Sequence, residues 1–414
     1  MKRHVYYRIE MQLGSPLSVG SGKNESTDHD VVRGKDGKPY IPASSIAGVF
    51  RHTLENDKPL QNDIFGMISG NKLQSSKVIF YDGMLTSECV TSERDSVKLE
   101  GKVGVDGAKF DMQVVETGVT FVSFLELADQ PETIDKQIDQ MLYKLQAGAL
   151  RFGSKTSRGY GNVKISELKK VVFDLEQPPQ LDSWLDFDPY KDTSWNDIDA
   201  YVLEEDYTGF IKISLKLLQK GALSIREYST DVSTNGDTLP DYKHISLHND
   251  DETGVVPGTS WAGAFRARYQ EFAGQEETDA LFGFVKEKSK TGSTQKSRII
   301  FSESQIEHGI WKTITRNSID RFTAATKDAA LYTERTLYNG KTVLDIMVTE
   351  DITDKEKAIL GAVILDLHNG FLSVGGLTSV GRGMFEIIGL TVNGIDCYDK
   401  LNSNAPAKLL EVNQ

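Results

Sequence analysis

The chain reads as a two-layer α+β protein built twice over, and three observations carry that expectation. The same ordered set of landmarks occurs two times, roughly 205 to 225 residues apart. Segments with strand-like alternation are interleaved with segments that are apolar at helical spacing. A length of 414 residues also exceeds one ordinary core, since a domain takes about 150 residues.

The elements follow in order. His4 to Leu13 and Gly209 to Leu218 alternate β-branched or aromatic residues with polar ones, and each reads as a first strand. Leu17-Ser18-Val19-Gly20 and Leu223-Ser224-Ile225-Arg226 come next, each followed by a loop too rich in Asp, Ser, Thr and Asn to form a core element. The loops end at Ile41-Pro42-Ala43-Ser44-Ser45-Ile46-Ala47-Gly48-Val49-Phe50-Arg51 and at Val256-Pro257-Gly258-Thr259-Ser260-Trp261-Ala262-Gly263-Ala264-Phe265-Arg266. Proline with a following hydroxyl residue predicts a helix start; Ile46, Val49, Phe50 and Leu54 form one buried stripe, with the arginines off it.

Ile64-Phe65-Gly66 and Leu281-Phe282-Gly283 then end a helix, and Lys77 to Phe80 and Arg298 to Phe301 read as strands. A second amphipathic helix is predicted around Ile134, Ile138, Met141, Leu142 and Leu145, and around Ile359, Leu360, Val363, Ile364 and Leu367, the latter opened by a capping box of Thr353 and Glu356. Each copy closes on a Thr-Ser-x-Gly-x-Gly loop and a strand, from Gly153 and from Gly375. These boundaries give a first domain at 1–173, an acidic linker at 174–207 around Pro178-Pro179, and a second domain with a polar tail at 208–414.

Composition bounds the function. A net charge of −13 and a pI near 5.1 exclude a protein that coats nucleic acid through a uniformly basic surface, so any such site must be a local groove. No window approaches the ~18 consecutive apolar residues of a membrane span, and the N-terminus lacks the pattern of a secretory signal, so a cytoplasmic location is expected. Cys89 and Cys397 are too few for a disulfide framework. Gly22-Lys23 lacks the surroundings of a phosphate-binding Walker loop.

A helix start with free N–H groups, nearby arginines and a glycine-rich loop together make a phosphate site, and the chain carries this set twice. The candidates are Ser44, Ser45 and Arg51 with Lys155 and Arg158, and Thr259, Ser260 and Arg266 with Arg382. The plainer reading is that Ser and Thr cap helices and that arginines beside an apolar stripe face water.

These landmarks resemble the RAMP superfamily of CRISPR effector proteins, whose motifs include I-P-G-S-S-x-x-G-x-x-R after the first strand and a terminal glycine-rich loop. The resemblance covers about residues 4 to 170 and 209 to 390. Arg316-Asn317-Ser318-Ile319-Asp320-Arg321-Phe322-Thr323 is similar to the N-x-I-D-R-x-T segment of type III backbone subunits, which adds Arg321 to the RNA-binding candidates. The first copy keeps a compressed version from Val103 to Phe110, and its projecting hairpin is expected to be shortened or altered.

The resemblance implies two ferredoxin-like, RRM-related domains with long inserted loops, in an antiviral-defence complex whose partners are CRISPR RNA, target RNA and other effector subunits, without a membrane. It also implies a target-cleaving aspartate: Asp28 in Asp28-His29-Asp30-Val31-Val32-Arg33, and Asp241 in Asp241-Tyr242-Lys243-His244-Ile245, neither with the family's following proline. Either carboxylate would hold Mg²⁺ transiently beside a phosphodiester attacked by its own ribose 2′-hydroxyl, with no organic cofactor. Asp30, Asp231 and Asp237 are rivals in the same loops. The alternatives are a non-catalytic capping or architectural subunit and a guide-processing endoribonuclease using His29. His244-x-x-x-His248 is read as an irregular loop and not as a zinc site.

Overall fold

The computed structural model describes residues 2–20, 29–69, 72–100, 103–228, 240–247, 250–285, 294–403 and 405–411. It divides into two compact units, one of residues 1–156 and 160–208, the other of residues 157–159 and 209–414.

In the first unit the elements are β1 (Arg3–Leu13), α1 (Ala43–His52), α2 (Lys58–Phe65), β2 (Val78–Phe80), β3 (Thr91–Glu100), β4 (Val103–Val115), β5 (Thr120–Ala128), α3 (Glu132–Gln146), β6 (Val163–Asp174) and α4 (Pro178–Asp186). The main sheet runs β6–β1–β5–β2, antiparallel at every pairing. In the second unit they are β7 (Phe210–Lys220), β8 (Arg226–Tyr228), β9 (Tyr242–His244), α5 (Gly258–Ala273), α6 (Gln275–Phe282), β10 (Ile299–Phe301), β11 (Ile310–Ile319), β12 (Thr326–Tyr338), β13 (Lys341–Thr349), α7 (Asp354–His368) and β14 (Met384–Val392). Its sheet runs β14–β7–β13–β10. Both are the β-α-β-β-α-β ferredoxin-like order, with the β3–β4 or β11–β12 hairpin inserted.

The duplication extends to irregularities. The first strand is bulged between Glu10 and Met11 in one unit and between Lys216 and Leu217 in the other. Gly161 and Gly383 both have φ of +72°, and a Cβ on either would sit within 2 Å of the carbonyl oxygen of Phe152 (1.8 Å) or Val374 (1.9 Å). Only glycine fits there, which explains the Thr-Ser-x-Gly-x-Gly signature.

Period-two alternation sends Val5, Tyr7, Ile9 and Met11 of β1 against Ile134, Ile138, Met141 and Leu142 of α3, and Ile213, Leu215 and Leu217 of β7 against Leu360, Val363 and Ile364 of α7. The Thr353–Glu356 capping box forms as expected. Pro42 and Pro257 themselves occupy the N-cap positions of α1 and α5, without a side-chain cap.

One expectation needs correction. Residues 174–207 are not a free linker: α4 and the following turn place Trp184, Phe187 and Trp195 against Tyr6, Phe124 and Phe173 on the sheet face opposite the helices. The acidic composition masks three large aromatic groups, each able to bury about 150–250 Å². The first copy's hairpin keeps strands of 10 and 13 residues, the same lengths as in the second unit. It differs at the turn, where two residues separate β3 from β4 and six separate β11 from β12.

Candidate nucleic-acid interface

The start of α1 is partly occupied from within. The Ala43 N–H donates to Asp82 Oδ1 at 2.7 Å, so one of the N–H groups available to a phosphate already meets a carboxylate. Ser44 is exposed and Ser45 half-buried in the first turn; Thr259 and Ser260 are half-buried in the first turn of α5.

The two motif arginines are not equivalent. Arg51 is exposed and has no side-chain partner among the described residues. Arg266 ion-pairs Asp279 at 2.5 Å, donates to the Gly283 carbonyl at 2.9 Å and lies 5.9 Å from the Phe282 ring. It ties α5 to the end of α6, so a phosphate approaching Arg266 competes with the Asp279 carboxylate. Counting back from Phe65 and Phe282 puts Asn62 where α6 has Asp279, and the missing carboxylate is why Arg51 remains available.

The glycine loops also diverge. Lys155 and Leu377 take the same left-handed conformation, φ +52° and +56°. Lys155 Nζ sits 4.3 Å from the Phe110 ring centroid and 5.8 Å from that of Tyr160. Arg158 has no ion-pair partner among the described residues, and desolvation, followed by the like charge of Arg266, lowers its pKa. Arg382 is 3% exposed and holds Glu334 through two bonds, Nη1–Oε2 at 2.9 Å and Nη2–Oε1 at 2.5 Å. The expectation that it meets RNA directly is therefore corrected: its fork is filled by the carboxylate.

Asp28 lies outside the described residues, as do Asp231, Asp237 and His248. Its neighbour His29 bridges Met112 in parallel register, as Tyr242 pairs with Glu334. Met112 and Glu334 correspond, because Leu17 bridges Val115 and Leu223 pairs with Leu337, each three residues further on. Counting back one residue in the sequence from His29 and Tyr242 then aligns Asp28 with Asp241.

Asp241 is exposed; its N–H donates to the Thr333 carbonyl at 2.8 Å and its Oδ2 accepts from the Thr333 N–H at 2.7 Å. Its Oδ1 has no hydrogen-bond partner among the described residues. Among the described residues no group of three or more His, Cys, Asp or Glu could hold a metal ion. A hard divalent cation bound by one carboxylate needs substrate phosphate oxygens and water to complete its shell, which fits transient binding only.

His244 lies in β9, not in an irregular loop. Its Nδ1 accepts from the Ile225 N–H at 2.9 Å, and burial pushes its pKa down to about 3. The rival Asp30 is buried, and His29 packs edge-on to Phe110, 6.3 Å between centroids.

At the tip of the β11–β12 hairpin, Asp320 Oδ1 accepts from the Phe322 and Thr323 N–H groups at 2.9 and 3.0 Å. These bonds lower its pKa and fix the turn. The turn projects Phe322 outward, 98% exposed, with Ile319 and Leu331 at 64% and 66%. Arg321 beside it is exposed and has no partner among the described residues. The sequence points to the motif but not to this exposure. It also gives no sign of Arg226 and Arg316, which flank Glu334; period-two counting along β12 places Glu334 and Tyr332 on one face.

A family model of the RAMP superfamily matches residues 10–164 and 242–386, one stretch in each unit. No curated protein matches the chain. Among solved structures, the chain is similar to one in the cryo-EM structure of the type III-B Cmr-beta bound to cognate target RNA, at 18% identity and a TM-score of 0.34. That alignment covers 41% of this chain and 61% of the other, so the chain spans less than two thirds of that structure's length. The two matched stretches make up more than half of the residues: the chain belongs to the RAMP superfamily, as a tandem of two such domains.

Proposed function

We propose that this tandem RAMP protein is a backbone-type subunit of a type III CRISPR effector complex, which binds CRISPR RNA and presents complementary target RNA for cleavage beside Asp241. The observation that carries the reading is the β11–β12 tip, where an almost wholly exposed Phe322 adjoins an unpaired Arg321. An exposed aromatic ring is costly in water and useful on a base, and a neighbouring guanidinium supplies phosphate or cation–π contact. Arg51 and Arg158, without a carboxylate partner among the described residues, add cations of the kind that follow a phosphate backbone.

In the cleavage step, Asp241 is held by the Thr333 backbone so that one oxygen stays outside the strand pairing. A divalent cation there would stabilise charge on the phosphodiester and the leaving oxygen. The nucleophile is the RNA's own 2′-hydroxyl, so the protein's part is to position and neutralise. An architectural subunit is the second reading, favoured by the same Thr333 bond, because that bond also serves to cap the start of β9.

The test is to purify the chain with its natural partners, sequence the bound RNA, and offer guide-complementary RNA with and without Mg²⁺. Loss of cleavage in Asp241→Ala with guide retained supports the reading. Cleavage equal to the parent in both Asp241→Ala and Asp28→Ala would leave the architectural role.

A further inference from the structure

Glu334 is 1% exposed, and two arginines reach it in the second unit. Arg382 grips it from the glycine loop, and Arg316 Nε on β11 lies 3.3 Å from Oε1 with its side chain 40% exposed. Register puts a third on the same face: Arg226 pairs with His244, two residues from Tyr242, which pairs with Glu334. The Arg226 guanidinium covers the Tyr242 ring at 4.7 Å. The hydrogen bond from Arg382, then the charges of Arg382, Arg316 and Arg226, hold the Glu334 carboxyl below the usual range.

Three guanidinium groups therefore surround one carboxylate, and Glu334 is the only carboxylate that any of them touches among the described residues. Among the described residues the two outer ones make no other ion pair, Arg226 covering the Tyr242 ring and Arg316 meeting Glu334 through Nε alone, while the buried pair beneath orients Arg316. Tyr332, opposite Arg316 in the register, and Tyr242 supply ring surface on the same face.

The first unit is an internal control. Its residues at the Glu334 and Arg382 positions are Met112 and Tyr160, which pack with Val114 in a small apolar cluster. Gly20 stands where the second unit has Arg226, counting from Leu17 and Leu223. The buried pair of its hairpin, Arg94 with Glu116, sets one cation against one anion. The fold therefore does not need the arginine set. A buried ion pair seldom improves stability over an apolar filling of similar volume, so its presence in one copy points to a ligand.

We propose that Arg226 and Arg316 form an anion site in the second unit, which takes a backbone phosphate of single-stranded RNA next to Asp241. The proposal deepens, and rests on, the RNA-binding reading above. Asp241 directly precedes Tyr242, and a phosphodiester approaching its carboxylate meets like charge. Two cations on the face that Tyr242 and Glu334 share would offset that repulsion.

The test uses the full chain, a labelled single-stranded RNA 12-mer and fluorescence anisotropy across a salt series. The double variant R226A/R316A is expected to bind about tenfold more weakly, with the salt slope reduced by about 0.7 for each phosphate left without its arginine. R226K/R316K, which keeps the charge, should recover most of the affinity, a result that a merely structural role of the arginines would not give. Parental affinity and slope in R226A/R316A, with an unchanged Tm, would overturn the site. A parent that ignores RNA, but whose Tm rises with inorganic phosphate in a way abolished in R226A/R316A, upholds the anion site and refutes the RNA reading. A parent with neither response refutes both.

Discussion

Where the first unit sets Tyr6 and Phe124 beneath the aromatic groups of residues 174–207, the second has Lys212 and Asp345 at the same register positions, ion-paired at 3.3 Å. Met112 and Tyr160 in the first hairpin root likewise become Glu334 and Arg382 in the second. In both places the backbone is duplicated and the chemistry exchanged as a pair, an apolar or aromatic pair in the first unit for an ion pair in the second. Such paired exchange is what tertiary contact demands, since a lone buried charge or a half-filled cavity is costly. The difference assigns solvent-shielded packing to the first sheet and polar chemistry to the second unit.

The paired exchange at the hairpin root should give the largest effect. Glu334→Ala alone should cost about 3–5 kcal/mol, because it strands a buried guanidinium. The double exchange Glu334→Met with Arg382→Tyr, which copies the first unit, should recover most of that stability in thermal unfolding. If the double variant is as unstable as the single one, the two roots are not interchangeable.

On the first sheet, Trp195→Ala should cost about 3–5 kcal/mol, because the ring is 1% exposed and its removal opens a cavity. Lys212→Ala in the second unit should cost under about 1 kcal/mol, as an exposed ion pair does. Equal drops in denaturant midpoint would remove the contrast between a covered and an uncovered face.

The hairpin tips should differ in RNA affinity. Phe322→Ala is expected to weaken binding by about 1–3 kcal/mol per stacked base, roughly 5- to 150-fold, with Tm unchanged because the ring touches little of the fold. Binding that stays at the parental level would show that the longer turn of the second unit does not meet RNA.

A smaller effect follows from His244. Its folded pKa of about 3 lies below the unfolded value near 6.5, so the unfolded chain binds the extra proton. This contribution is complete above about pH 6.5 and declines as the pH falls toward 3, by at most about 1.4 kcal/mol per unit. Denaturant midpoints at about pH 7 and about pH 5 should diverge in the parent and less so in His244→Gln. Matching slopes would show that another group governs the acid response.

Much of the fold is legible in the sequence, and what is not has specific causes. Ile134, Ile138, Met141, Leu142 and Leu145 are buried as their spacing requires, because amphipathic periodicity and burial are the same physical demand. Residues 174–207 read as a linker because their acidic content outweighs aromatic residues that follow no helical or strand period. Arg266 and Arg382 look like Arg51 in sequence, since residue identity alone does not show whether a carboxylate from a distant strand fills the fork.

The sequence by itself determined the duplication, the helix starts at Pro42 and Pro257, the glycine loops and the period of the first strand and the second amphipathic helix of each copy. All of these depend on local backbone sterics and on apolar repeats within a few residues of one another. Tertiary structure alone decided which arginines find a carboxylate among the described residues, that Phe322 stands in water, and that Asp241 is tied to Thr333. The pairings behind those outcomes join residues far apart in the chain, such as Arg382 with Glu334 (48 apart) and Asp241 with Thr333 (92 apart). Charge pairing and exposure are properties of such meetings, and no local pattern encodes them.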